Sequence, residues 1–216
     1  MNKRNHKTYL RDKQNLRVRL ARKPYEDQPD SMFRDANIHY QIAERTRAIG
    51  FGGIGAMHKL VCKLGLDRAI NKNVRLLRRH VPYWESDHVL NLAYNVLTGG
   101  TCLEDIERLR NDETYMNGLD AERVPDPTTA GDFLRRFDQD SILALQETFN
   151  EARTKVWALQ EASFRKEAII DIDGTIAGTT GECKEGMDIS YKGIWGYAPL
   201  IVSLANTNEV LYLANR

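Results

Sequence analysis

The residues best suited to chemistry are two aspartates in the run Asp171-Ile172-Asp173-Gly174-Thr175. Strand side chains alternate, so Asp171 and Asp173 project to one face while Ala168, Ile170 and Ile172 pack on the other. Two carboxylates at the carboxyl end of an apolar strand are costly to bury unless a cation neutralises them. A hard divalent cation such as Mg²⁺ suits that role. The plainer alternative is a pair of solvated strand-end aspartates capping a turn. The β-branched, apolar run that leads into the pair marks a core strand and favours the first reading.

Other groups carry less. Gly50-Phe51-Gly52-Gly53-Ile54-Gly55 fits GxGxxG, but no acidic residue sits in a second strand about 20 residues on, so it reads as a flexible junction rather than a nucleotide site. Cys62, Cys102 and Cys183 are far apart, without a CxxC pair, which argues against a disulfide framework and a zinc knuckle. His58, His80 and His88 lack metal-ligand spacing and read as surface or helix-end residues. Arg135, Arg136 and Lys192 are candidate phosphate contacts, with solvated charge as the alternative. Tyr191, Trp195 and Tyr197 could stack on unpaired bases, though packing of their loop onto a sheet is the simpler role.

Elements that could position these residues follow from periodicity. A short strand is expected over residues 36–43, where Ile38, Tyr40 and Ile42 alternate with polar neighbours. Helical spacing then takes over: Ile54, Met57, Leu60, Val61 and Leu64 form a stripe that Gly65 ends. A second helix is expected from Asp67 to His80, with Ile70, Val74 and Leu77 inward and Arg75, Arg78 and Arg79 outward, stopped by Pro82. Ser86 or Asp87 can cap a third, with Val89, Leu92, Ala93, Val96 and Leu97 buried and Gly99-Gly100 at its end. Thr101 to Glu104 is a capping-box pattern ahead of Leu103, Ile106 and Leu109. Asp126 opens another helix, anchored by Phe133, Leu134 and Phe137. Asp140 or Ser141 caps a longer one carrying Ile142, Leu145, Phe149, Ala152, Val156 and Leu159. Near residue 167 the period changes to strands at 168–175, 198–204 and 209–213, the last two joined by Asn206-Thr207-Asn208. The class is therefore α+β: a basic arm or linker over 1–34, a mostly helical domain over 35–165, and the opening three strands of a mixed α/β domain over 166–216.

Charge is unevenly placed. Residues 1–23 hold nine Lys/Arg, among them Arg17, Arg19, Arg22 and Lys23, against the single acid Asp12; this net +8 leaves −7 for the rest of a chain whose total is +1. A basic arm on an acidic body suits a polyanionic partner, because phosphates release counterions to it. No stretch approaches the roughly 18 apolar residues of a membrane helix, and no apolar run follows the basic start, so neither a membrane span nor a secretory signal is expected and a cytoplasmic protein is the default.

Two enzyme classes place aspartates on such a strand: the haloacid-dehalogenase-like phosphatases, where Asp171 would be nucleophile and Asp173 general acid/base, and the RNase H-like DDE nucleases and transposases. The flanks decide. LTGGTCLEDIERLR over 97–110, PDPTTAGDFLRRF over 125–137, the 171–175 strand and YKGIWGYAPL over 191–200 together resemble the DDE group 1 transposases of bacterial insertion sequences. The resemblance implies an RNase H-like catalytic domain, and metal-dependent DNA strand cleavage and joining with Mg²⁺ or Mn²⁺. It implies a homo-oligomer acting on transposon ends and target DNA at the bacterial nucleoid. It places the first catalytic, metal-binding aspartate at Asp173, with Asp171 as helper. Tyr191, Lys192, Arg135, Arg136 and the basic-arm residues Arg17, Arg19, Arg22 and Lys23 are the candidate DNA contacts beside it. Only 43 residues follow Asp173, and Glu182, Glu185, Asp188 and Glu209 are not where the family has its partner carboxylates. The sequence is accordingly expected to be the amino-terminal part of such an enzyme, unable to cleave DNA alone. A DNA-binding or dominant-negative fragment is the alternative.

Overall fold

A computed structural model of the chain describes residues 10, 11, 13–15, 17, 18, 29–36, 38, 51–180 and 184–215. The chain divides into two compact units, Met1–Thr148 and Phe149–Arg216. The strand expected over 36–43 lies outside the described residues except at Ala36 and Ile38, and Ile38 is buried.

The first unit is helical. Its α1 (Ile54–Leu64) ends at Gly65, whose left-handed backbone (φ 69°) donates its N–H to Val61 and Cys62 carbonyls. Gly55 is needed for close approach: a Cβ there would sit 2.9 Å from the Gly118 carbonyl oxygen. The buried face of α1 is Ile54, Gly55 and His58, and Met57 and Leu60 of the expected stripe are exposed. Helix α2 (Leu66–Asn73) is shorter than periodicity suggested. Val74 turns extended, and the next amides leave the helical ladder because the buried Glu85 carboxylate takes them: Leu76 and Leu77 N–H donate to Glu85 Oε1 at 3.1 and 2.9 Å. Ile70 and Val74 are nevertheless fully buried, as expected.

Helix α3 (Glu85–Leu97) starts where Asp87, its third residue, accepts from the Trp84 N–H at 2.8 Å. Its buried side departs from the expected stripe. Glu85, Ser86, Asp87, His88, Asn91 and Asn95 are inside beside Val89, Leu90 and Tyr94, while Val96 and Leu97 are exposed. Each acid found inside has backbone partners: Asp87 accepts the Met32 and Phe33 N–H groups as well, at 2.9 and 3.1 Å. After a 3-10 turn (Leu103–Asp105), α4 (Ile106–Leu109) and α5 (Glu113–Gly118) complete the core. Asp105 rather than Glu104 caps that turn, accepting from Thr101 N–H at 2.8 Å. Helix α6 (Pro127–Leu134) opens as expected, Asp126 accepting from Thr129 N–H at 2.9 Å with Pro127 in the first turn. Helix α7 (Gln139–Ala158) is capped by Asp138, which accepts from Ser141 N–H. One core gathers Met32, Phe33, Ile54, Leu90, Tyr94 and Tyr115; another joins Ile70, Val74, Val89 and Phe133.

Among its described residues the second unit shows six short strands where three were expected. β1 (Ile170–Gly174), β5 (Leu200–Leu204) and β6 (Glu209–Ala214) form one antiparallel sheet in the order β1-β5-β6, with a bulge between Val202 and Ser203. These are the strands read from the sequence, and all their pairings are antiparallel. A second sheet, β2 (Ala177–Gly178), β4 (Trp195–Tyr197) and β3 (Asp188–Ile189), is ordered β2-β4-β3. It explains a glycine of the YKGIWGY segment: the Ala177 backbone occupies the space a Cβ on Gly196 would need. The end of α7 meets β6 through Arg153, which reaches Glu209 at 3.0 Å, and through Trp157 Nε1, which donates to Glu209 at 3.1 Å.

Candidate functional site

Asp171 and Asp173 lie on one face of β1 and face Ser203 and Ile201 across the pairing with β5. The apolar residues behind them were expected to be packed. Instead Ile170 and Ile172 are 48% and 62% exposed, and every residue of β1 is open to solvent. The physical reason is the reach of the covering layer. Among the hydrogen bonds and ion pairs of the described residues, Arg153 and Trp157 at the end of α7 reach the start of β6, two strands away from β1. Asp173 Oδ1 accepts from the Gly174 N–H at 2.8 Å, and the strand is held by Thr175 N–H donating to Pro199 O at 3.0 Å.

Two carboxylates on one strand face, open to solvent, fit one side of a divalent-cation site. They do not fit a whole one: no group of three or more His, Cys, Asp or Glu side chains able to hold a metal occurs among the described residues.

The expected DNA contacts are scattered. Tyr191 is 89% exposed, and the Lys192 ammonium lies 5.4 Å from its ring centre. The aromatic segment does not pack as a loop: Trp195 and Tyr197 belong to β4, the middle strand of the second sheet. Arg135 pairs with Asp132 at 2.7 Å in solvent. Arg17 is exposed in a helical stretch, and Arg19, Arg22 and Lys23 lie outside the described residues.

Arg136 lines a cavity. Its volume is about 550 Å³, and it lies in the first unit between the 76–83 connection, the start of α3 and α6. Five arginines line it: Arg78, Arg79, Arg110, Arg123 and Arg136. Periodicity puts Arg78 and Arg79 on an outer helix face and gives no signal for Arg110 and Arg123. The clustering of Arg75, Arg78 and Arg79 was the one visible signal.

The histidines also differ from expectation. His58 and His88 are 0% and 4% exposed, so neither is a surface residue. His58 Nδ1 and the Tyr94 hydroxyl are 2.9 Å apart, and burial holds the imidazole below its usual pKa. His88 stacks on Phe133 with ring centres 4.3 Å apart; burial, and then the Arg136 charge, push its pKa down to about 4. Asp87 is pushed the other way, up to about 6, because burial outweighs the three backbone N–H groups that favour its charged form.

No helix among the described residues is long and apolar enough to cross a membrane. No curated protein and no solved structure matches the chain. A family model does: the transposase DDE domain group 1 matches residues 47–215. That span takes in the helical region, β1 and the YKGIWGY segment, and it gives the phosphatase alternative no support. With more than three quarters of its length inside that match, the chain belongs to the group 1 DDE transposases, and its function is tied to DNA transposition.

Proposed function

We propose that the chain contributes the first carboxylates of a metal-dependent DNA cleavage and joining site, with Asp173 as the principal ligand and Asp171 beside it. The observation that carries this is their shared face at the end of β1, inside the matched family span. The antiparallel meander β1-β5-β6 supports an RNase H-like reading of the second unit. Bound there, Mg²⁺ or Mn²⁺ would supply neutralisation of charge on the attacking and leaving oxygens of a phosphodiester. The chain's own part is to hold two carboxylates on one strand while the β1-β5 pairing fixes their spacing. Lys192 and Tyr191, both exposed, are suited to meeting a strand's phosphates and bases. The partners of this reading are transposon-end and target DNA and further copies of the protein, in the bacterial cytoplasm at the nucleoid.

A second reading rests on one observation, the lack of a third ligand grouped with Asp171 and Asp173 among the described residues. On it, this chain binds DNA without cutting it and could block active enzyme by occupying its ends.

Mn²⁺ titrated into the full chain tests the first reading by paramagnetic NMR broadening. Broadening is expected to centre on residues 170–175 and to vanish in Asp173→Asn. Unchanged broadening in that variant, or broadening centred elsewhere, would overturn the assignment. Incubated with DNA and Mg²⁺, the chain alone is expected not to nick. Nicking that Asp173→Ala abolishes would instead show a complete site and sink the second reading.

A further inference from the structure

The arginine-lined cavity of the first unit is unexplained by any role given so far. Its charge is strongly one-sided. Against the five arginines the lining sets Asp126 and Asp132: Asp126 accepts from the Thr129 N–H and hydroxyl and also feels the Arg110 charge, and Asp132 pairs with Arg135. Arg78 and Arg136 make no side-chain hydrogen bond or ion pair among the described residues, and Arg110, which donates through Nη1 to Glu107 at 3.1 Å, keeps a buried Nε without a hydrogen-bond partner. Arg78 and Arg136, two guanidinium groups on one cavity wall without a carboxylate partner among the described residues, are an arrangement that a phosphate completes, since each presents a planar fork of donors.

The lining is also more than cationic. Tyr83, His88 and Phe133 contribute rings. The Nδ1 of His88, on a side chain only 4% exposed, is buried with no hydrogen-bond partner. A buried imidazole nitrogen left unsatisfied costs stability unless a ligand or water meets it. The volume, about 550 Å³, falls within the ~300–1,000 Å³ usual for small-ligand sites. A bare phosphate would leave the rings and the imidazole unused. A phosphate joined to a flat, hydrogen-bonding ring system uses all three.

We propose that this cavity binds a nucleoside 5′-phosphate, with Arg78, Arg110 and Arg136 on the phosphate and the Tyr83 and His88 side on the base. The nucleotide could come from the 5′ end of a DNA strand or be free in solution, and the same chemistry serves both. The inference does not rest on the metal site. All its residues lie in the Met1–Thr148 unit, whereas Asp171 and Asp173 lie in the other.

The test is equilibrium binding to the full chain in excess EDTA, so that failure of the metal reading leaves it untouched. The probe is a short single-stranded oligonucleotide bearing a 5′-phosphate and a 3′ fluorophore, compared with its 5′-hydroxyl twin and challenged with thymidine 5′-monophosphate. Arg78→Gln and Arg136→Gln, at exposed positions that should keep the fold, are each expected to weaken binding by ~10-fold or more. They should flatten its salt dependence by about one phosphate contact. Arg75→Gln removes the same charge three residues away, outside the cavity, and is expected to change binding less than twofold. A preference for the phosphorylated strand with weak competition by the mononucleotide assigns a strand end. Competition by the mononucleotide at equal affinity assigns a free nucleotide. Absence of binding by both ligands, or equal losses in Arg75→Gln and Arg78→Gln, would overturn the proposal.

Discussion

At the scale of single residues, His88 offers the sharpest measurement. Its folded pKa near 4 lies below the ordinary 6.5, so the native state holds fewer protons on it than the unfolded state. The stabilisation is fully present above pH 6.5 and is lost as pH falls towards 4. Asp87 works with opposite sign. Its folded value near 6 lies above the ordinary 3.8, so its contribution is present at low pH and lost as pH rises through 6. A comparison of wild type with His88→Gln cancels the Asp87 contribution. The stability advantage of wild type is expected to shrink by roughly 2 kcal/mol between pH 7 and pH 5 in urea unfolding. A constant difference across that range would show that His88 is not buried in its neutral form. None of this was legible in the sequence. A histidine between Asp87 and Val89 carries no mark of burial, because what buries it is Phe133, brought alongside from α6.

At the scale of elements, periodicity found most helices and the three main strands but misjudged which faces they bury. The stripe through Met57 and Leu60 was read as core because both are apolar, yet α1 turns His58 inward, where the Tyr94 hydroxyl meets it. Helix α3 buries Asp87 and Asn91 because backbone groups distant in sequence, at Met32, Phe33 and Pro125, pair with them. Hydropathy cannot anticipate such partners. The early end of α2 has the same origin, a buried Glu85 that outcompetes the helix for two amides. The candidate carboxylates were legible because their signal is local, two aspartates at strand spacing. The cavity was not, since its arginines come from four separate stretches. Element contacts can be tested at Gly55, where α1 meets the end of α5. Gly55→Ala would push a methyl to 2.9 Å from a backbone oxygen, and a loss of about 1–3 kcal/mol in denaturant unfolding is expected. Unchanged stability would mean that the two helices are looser than the contact implies.

At the scale of the whole molecule, the two units differ in how well they are covered. The first encloses two cores, whereas the second has Leu204 and Ala152 as its buried apolar residues among those described. Amide hydrogen exchange is expected to show β1, β5 and β6 losing protection at least tenfold faster than α3, and equal protection would contradict this account. The same exposure bears on inheritance. In the described structure β1 is an edge strand, and bare apolar edges invite strand-to-strand aggregation that charged side chains suppress. On such an edge the charges of Asp171 and Asp173 would oppose that pairing, a role separate from any part in cutting DNA. A lineage of copies that has lost transposition would remain under selection at these two positions. A retained aspartate there is poor proof of a living enzyme, and decay of the catalytic function should first be sought at carboxylates that guard no edge.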